Sequence, residues 1–183
     1  MRNLVTKLAA LAVLTATAAP AQAIENEYRP YLGINYAYTR ANVKGMRPHY
    51  NSASATLGSV YNRYFGTEVF YQYSDKDKLR HQAVKNTSFN AYGLDMLAYL
   101  PLGCQGKIAP LATAGIGQYT FKHKYTNNGH NNDHGWGYRF GAGLQYNIDE
   151  NWAVRAIARY IHTDKINGYD HLNEYTAGIR YTF

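Results

Sequence analysis

From Tyr31 the chain reads YLGINYAYTR, and its residues sort by parity: Leu32, Ile34, Tyr36 and Tyr38 share one face, Gly33, Asn35, Ala37 and Thr39 the other. WGYRFGAGLQYN repeats the split, with Tyr138, Phe140, Ala142, Leu144 and Tyr146 opposite Arg139, Gly141, Gly143 and Gln145. A period of two is that of a β-strand. The make-up of the two faces constrains the fold further. In a soluble sandwich the aromatic face would be the core and a Gly/Ala face would meet water, a poor choice for strand stability. Inverting the arrangement removes the difficulty: small residues and isolated charges fill a narrow lumen, and apolar and aromatic side chains meet lipid.

Eight such segments can be counted, at 31–40, 52–62, 67–74, 87–100, 108–121, 136–147, 152–163 and 172–183. An even number closes a barrel, and closure is required because an open strand edge in hydrocarbon leaves N–H and C=O groups unpaired at several kcal/mol each. The connections alternate. Short ones fall at 63–66, Pro101 to Lys107 and Ile148 to Asn151, and longer polar ones at 41–51, 75–86, 122–135 and 164–171. Short turns facing the periplasm and long loops facing outward are the habit of outer-membrane barrels, though soluble meanders show it too. The expected fold is therefore all-β, an up-and-down eight-stranded antiparallel transmembrane β-barrel.

The N-terminus assigns the compartment. Arg2 and Lys7 form a charged region, Leu8 to Thr17 an apolar stretch, and Ala21-Gln22-Ala23 a small-residue cleavage site, the pattern of a signal peptide over 1–23 that leaves a barrel domain over 24–183. The apolar stretch is too short for a transmembrane helix of about 20 residues, and no later window is long and apolar enough. Mean hydropathy is -0.47, a value that suits a soluble protein but equally a barrel whose strands show lipid only every second residue. Cys104 is the sole cysteine, so in an oxidising compartment it has no internal disulfide partner and reads as a turn residue rather than a reactive thiol. The 19 tyrosines all follow the signal peptide, which suits girdles at the two membrane interfaces, with plain β-propensity as the alternative.

The most specific motif is the C-terminus, TAGIRYTF. It resembles the C-terminal β-signal of outer-membrane barrels, with Thr176, Gly178, Tyr181 and Phe183 in the motif's polar, glycine, aromatic and terminal aromatic positions. Alternation puts Ala177, Ile179, Tyr181 and Phe183 on the lipid face, where assembly machinery can read an edge strand by β-pairing plus aromatic anchors. Across the mature chain, PYLGINYAY, TEVFYQYS, PLATAGIGQY and GYRFGAGLQYNI resemble strands of the family that includes the opacity proteins and the OmpA-like and OmpX-like barrels. No periplasmic domain is expected after Phe183, so peptidoglycan binding is not carried over from the OmpA-like resemblance.

Charge locates candidate sites. Removing Arg2 and Lys7 from 19 Lys plus Arg leaves 17 against 12 Asp plus Glu, a mature charge of +5. The outer connections collect Arg40, Lys44, Arg47, Lys76, Lys78, Arg80, Lys85, Lys122, Lys124 and Lys165 against Asp75, Asp77, Asp133, Asp164 and Asp170, 10 minus 5. Such a basic rim attracts lipopolysaccharide phosphates, acidic host glycans or surface proteins, or is a solvated surface; Lys76, Lys78, Arg80 and Lys85 are the binding candidates. Nucleic acid is excluded by the compartment. Within the strands, Glu68, Asp95, Arg139, Arg155, Arg159, Glu174 and Arg180 fall largely on inward faces, where charges need opposite partners. An ion-pair plug follows, as the resemblance to OmpA-like barrels also implies, with Glu68 and Arg139 as the first pair to test and a water path between them as the alternative.

Catalysis and metal binding find little support. Some barrels of this size modify lipid A with a His and a Ser, but His162 in RYIHTDK lacks the nucleophile, so the chain is expected not to be an enzyme. His123, His130 and His134 lie in an Asn/Gly-rich stretch whose Asn127-Asn128-Gly129 is turn chemistry, and no metal or other cofactor is expected. The leading function is a plugged surface scaffold presenting loops, structural or adhesin-like; the alternatives are a small passive pore and, last, a lipid-modifying enzyme. Outer-membrane lipid and the barrel-assembly machinery are the expected partners.

Overall fold

The computed structural model describes residues 28–43, 49–74, 84–102, 107–125, 130–164 and 169–183. The expected signal peptide, Cys104, Lys76, Lys78 and Arg80 lie outside them. Eight antiparallel strands run β1 (Arg29–Val43), β2 (His49–Val60), β3 (Phe65–Ser74), β4 (Val84–Tyr99), β5 (Ile108–Tyr125), β6 (His130–Asn147), β7 (Trp152–Asp164) and β8 (Tyr169–Thr182). Each pairs with its sequence neighbours, and β8 pairs with β1 to close the barrel.

The register sets the barrel's dimensions. Following partners around the wall from Tyr31 leads through Gly58, Glu68, Asp95, Gly115, Arg139, Ile161 and Leu172, and returns to β1 at Ala41. The stagger is 41 minus 31, ten residues. With strands ~4.8 Å apart and ~3.3 Å per residue, this implies a tilt of about 40° and a wall about 16 Å across, which side chains fill.

Parity decides what each wall position meets. Leu32, Ile34 and Tyr36 are exposed to the outside, while Asn35, Ala37 and Thr39 are buried. Aliphatic side chains such as Ile34, Leu57, Leu94, Met96, Leu144 and Ile179 form the middle of the outer surface. Exposed tyrosines at 36, 71, 73, 92, 138, 160 and 175 ring its upper edge, and Tyr64, Phe65, Tyr146, Trp152 and Phe183 its lower edge. That banding is what a bilayer selects, with amphipathic rings at both interfaces.

Two sequence expectations are corrected. The outer connections are shorter than expected: 41–43, 49–51, 84–86, 122–125, 130–135, 164 and 169–171 belong to strands. The backbone ladder needs no alternation of apolar and polar residues to continue, so it runs on past the point where hydropathy marks a strand. β5 and β6, 18 residues each, rise about 45 Å at this tilt, well beyond the roughly 25 Å apolar band. Nor do all aromatics face lipid. Tyr50, Phe70, Phe89, Tyr119 and Phe121 are buried inside with Ala41, Ala91, Ile161 and Leu172, because their parity matches the inward glycines and charges of the same strands.

Candidate functional site

The lumen is layered. At its outer end Tyr50, Phe89 and Phe121 meet at ring separations of 5.3, 5.6 and 6.4 Å, an apolar cap excluded from water. At the inner end Leu97, Tyr99, Ala109, Leu111 and Ile157 form a second apolar group. Between them lies the charge cluster. Glu68, Asp95, Arg139, Arg155, Arg159, Glu174 and Arg180 are all buried, but Arg180, expected in the ion-pair plug, lies at the inner mouth against Tyr99 and Tyr31 and makes no ion pair among the described residues.

Its pairing differs from the sequence expectation. Glu68 is joined to Arg155 at 2.7 Å and to Arg159 at 3.6 Å, whereas Arg139 pairs with Asp95 at 3.3 Å and Glu174 at 3.2 Å. The expected Glu68–Arg139 pair is therefore not made among the described residues. Glu68 and Asp95 face each other across the β3–β4 ladder, but Arg139 enters from β6 with the Asp95 side of the barrel, and the β7 arginines reach Glu68 first.

Arg159 is the hub. Its Nη2 lies 3.6 Å from Glu68 and 3.5 Å from Asp95, and its Nη1 lies 3.4 Å from Glu174 and donates to Thr176 Oγ1 at 3.0 Å. Polar neighbours complete the set. Tyr31 donates its hydroxyl to Glu68 at 2.9 Å, Gln72 donates to Glu174 at 2.9 Å and to Ser52 at 2.8 Å, and Arg155 donates to Asn35 and Thr56. Arg139 also lies over the Phe70 ring at 3.8 Å. Asp95 is held by charge, its two oxygens making ion pairs but no well-directed hydrogen bond. Room for Asp95 comes from Gly115 opposite, where a Cβ would stand 2.0 Å from Asp95 Oδ1 and 2.5 Å from the Leu94 carbonyl oxygen.

Glu174, whose parity with Thr176, Gly178 and Arg180 turns it inward, receives two arginines, Arg139 and Arg159. Sequence reasoning missed Tyr31 and Tyr99, inward at the lower end. Arg180 donates to the Tyr99 hydroxyl at 3.1 Å and covers the Tyr31 ring at 4.4 Å.

The other candidates fall outside this cluster. Lys85 is on β4, its side chain outside the described residues. His162 is exposed on the outer wall, with Tyr138 and His171 as ladder partners. His134 contacts Thr120 Oγ1 at 2.9 Å, and the side chains of His123 and His130 lie outside the described residues. In the C-terminal motif, Thr176 is buried, Ile179 and Phe183 face outward, and Phe183 packs on Tyr181 at 5.2 Å.

A closed barrel with a lipid-compatible wall and a polar lumen is the architecture of an integral outer-membrane protein of a Gram-negative bacterium. The chain belongs to the outer membrane protein β-barrel domain family, whose model matches residues 9–183. Among solved structures it is similar to Neisserial surface protein A, at 17% identity and a TM-score of 0.71, covering 84% of this chain and 97% of that one. It is also similar to Ail, the attachment invasion locus protein of Yersinia pestis, at 16% identity and a TM-score of 0.63, covering 86% and 99%. The N-terminal β-barrel domain of Pseudomonas aeruginosa OprF follows at 14% identity and a TM-score of 0.62, covering 86% and 100%. At these identities the likeness is one of fold. No curated protein matches the sequence.

Proposed function

We propose that this protein, exported through its cleaved leader, is a non-catalytic surface scaffold: a plugged barrel that holds strand extensions and loop tips above the membrane for adhesin-like contact. One observation carries the reading. The lumen is filled from cap to charge cluster, while β4 to β6 continue past the upper tyrosine belt, so the structure is invested in its wall and its outer rim. A rigid barrel presenting loops is a common way to carry binding function. The basic outer connections, with Lys76, Lys78, Arg80 and Lys85, suit acidic glycans, lipopolysaccharide phosphates or acidic protein surfaces. Ail has been crystallised in complex with the heparin analogue sucrose octasulfate, and a sulfated glycan is the ligand class we propose for this rim.

The test is binding of the refolded barrel to immobilised heparin across a salt series. Replacing Lys76, Lys78, Arg80 and Lys85 with Gln is expected to weaken binding at least tenfold at low salt with the barrel still folded; unchanged binding rejects the assignment. A small passive pore is the second reading, favoured by the long 3.4 to 3.6 Å contacts of Arg159 to three carboxylates, which leave it several arrangements of similar energy. Discrete single-channel steps in a planar bilayer, altered by Glu68→Ala, would establish the pore; a silent folded barrel supports the scaffold.

A further inference from the structure

The lumen cluster is not neutral. Four arginines, 139, 155, 159 and 180, face three carboxylates, 68, 95 and 174, a surplus of one positive charge. All three carboxylates are taken up by Arg139, Arg155 and Arg159. Arg180 makes no ion pair among the described residues. It is 7% exposed, its Nε has no hydrogen-bond partner, and its other contacts are the Tyr99 hydroxyl and two aromatic rings. A buried guanidinium without a counter-ion is unfavourable, and an opposite charge arriving from solvent recovers part of that cost.

The route for such a charge is open. Arg180 forms part of the wall of a vestibule of about 600 Å³ at the short-turn end, within the roughly 300–1,000 Å³ range of small-molecule sites. Arg29, Arg63 and Lys107 also line it, against Asp149 and Glu150. With Arg180 the ionic lining is four positive to two negative. Asp149 is further committed, its Oδ1 accepting from the Asn151 and Trp152 amides at 2.9 and 2.6 Å.

We propose that this periplasmic vestibule binds a phosphate-class anion, with the Arg180 guanidinium as its inner contact and Arg63 and Lys107 drawing the anion in. The guanidinium fork suits phosphate oxygens better than a point charge does. The anion is either free phosphate or a phosphate group of a neighbouring lipid. The site adjoins the plug: Arg180 covers the Tyr31 ring, and the Tyr31 hydroxyl donates to Glu68. It holds whether the barrel is a scaffold or a pore.

The test follows the arginine Nε–H resonances of refolded Ile24–Phe183 by NMR. Inorganic phosphate is titrated into maltoside micelles, and in parallel the barrel is compared in nanodiscs of phosphatidylcholine alone and with phosphatidylglycerol. A saturable shift of the Arg180 resonance is expected, with apparent affinity reduced about three- to tenfold at low salt in the Arg63→Gln/Lys107→Gln variant. In Arg180→Gln, checked for folding by its gel shift when unboiled, phosphate should no longer perturb Tyr99 or Tyr31. Response to free phosphate identifies a soluble anion, and response only to phosphatidylglycerol identifies a lipid headgroup. No saturable response to either, or one unchanged in the rim variant, overturns the site. Should Arg180→Gln fail to fold, the wild-type and rim-variant titrations decide.

Discussion

Glu174→Gln removes one charge from the lumen and almost no volume. In the wild type Glu174 Oε1 lies 3.2 Å from Arg139 and 3.4 Å from Arg159, and Oε2 accepts from Gln72 at 2.9 Å. The amide keeps the shape and an acceptor oxygen, so no cavity term enters. What changes is the charge balance, from four against three to four against two, at a depth where the side chains are 1 to 4% exposed. Breaking a buried ion pair by neutralising one partner costs about 3–5 kcal/mol. Both arginines keep Asp95, at 3.3 and 3.5 Å, which puts the expected loss near the lower end, about 3 kcal/mol. With a urea slope of about 2 kcal/mol/M, the unfolding midpoint falls by about 1.5 M. The assay is reversible urea unfolding of the barrel in lipid vesicles, followed by fluorescence of Trp136 and Trp152, both on the lipid-facing wall, and by the unboiled gel shift. Adding Arg139→Met to Glu174→Gln should cost less than it does in the wild type, a coupling above about 1 kcal/mol. Exposed Glu150→Gln is the control, within about 0.5 kcal/mol of wild type. A loss for Glu174→Gln below about 1 kcal/mol would show that the cluster is screened like a surface pair, and the buried-plug reasoning would be wrong.

Two other outcomes follow from the layers around the cluster. Phe121→Ala opens the outer cap where Phe121 meets Tyr50 and Phe89, and is expected to cost about 3–5 kcal/mol in the same unfolding assay; a loss under 1 kcal/mol would mean that the cap is loosely packed. Deleting Phe183 removes a side chain 66% exposed that packs on Tyr181, and one backbone amide that donates to the Pro30 carbonyl at 2.9 Å. It should leave refolded stability within about 1 kcal/mol while reducing the amount assembled in the outer membrane of living cells several-fold; equal losses in both would make Phe183 a structural rather than an assembly residue.

The class of fold is legible in the sequence. Alternation with glycine and charge on one face and aliphatic or aromatic residues on the other has one economical solution in a bilayer, and the eight segments became eight paired strands. Which charges turn inward followed from the same parity, because in a closed sheet the face of a residue is a local property. The partners of those charges were not local. Glu68 meets Arg155 rather than Arg139 because the ten-residue stagger slides each strand against the next, and stagger is summed around the whole wall. The inward aromatics at 50, 70, 89, 119 and 121 are hidden for a related reason: residue type suggests the lipid face while parity turns them inward, and a wall about 16 Å across has room for rings wherever its charges are absent. Strand ends above the membrane were also hidden, since backbone pairing continues after hydropathy stops reporting it. The surplus of Arg180 over the lumen carboxylates is countable in the sequence, but its position at the inner mouth, beside a vestibule rather than another carboxylate, is decided only when the barrel closes.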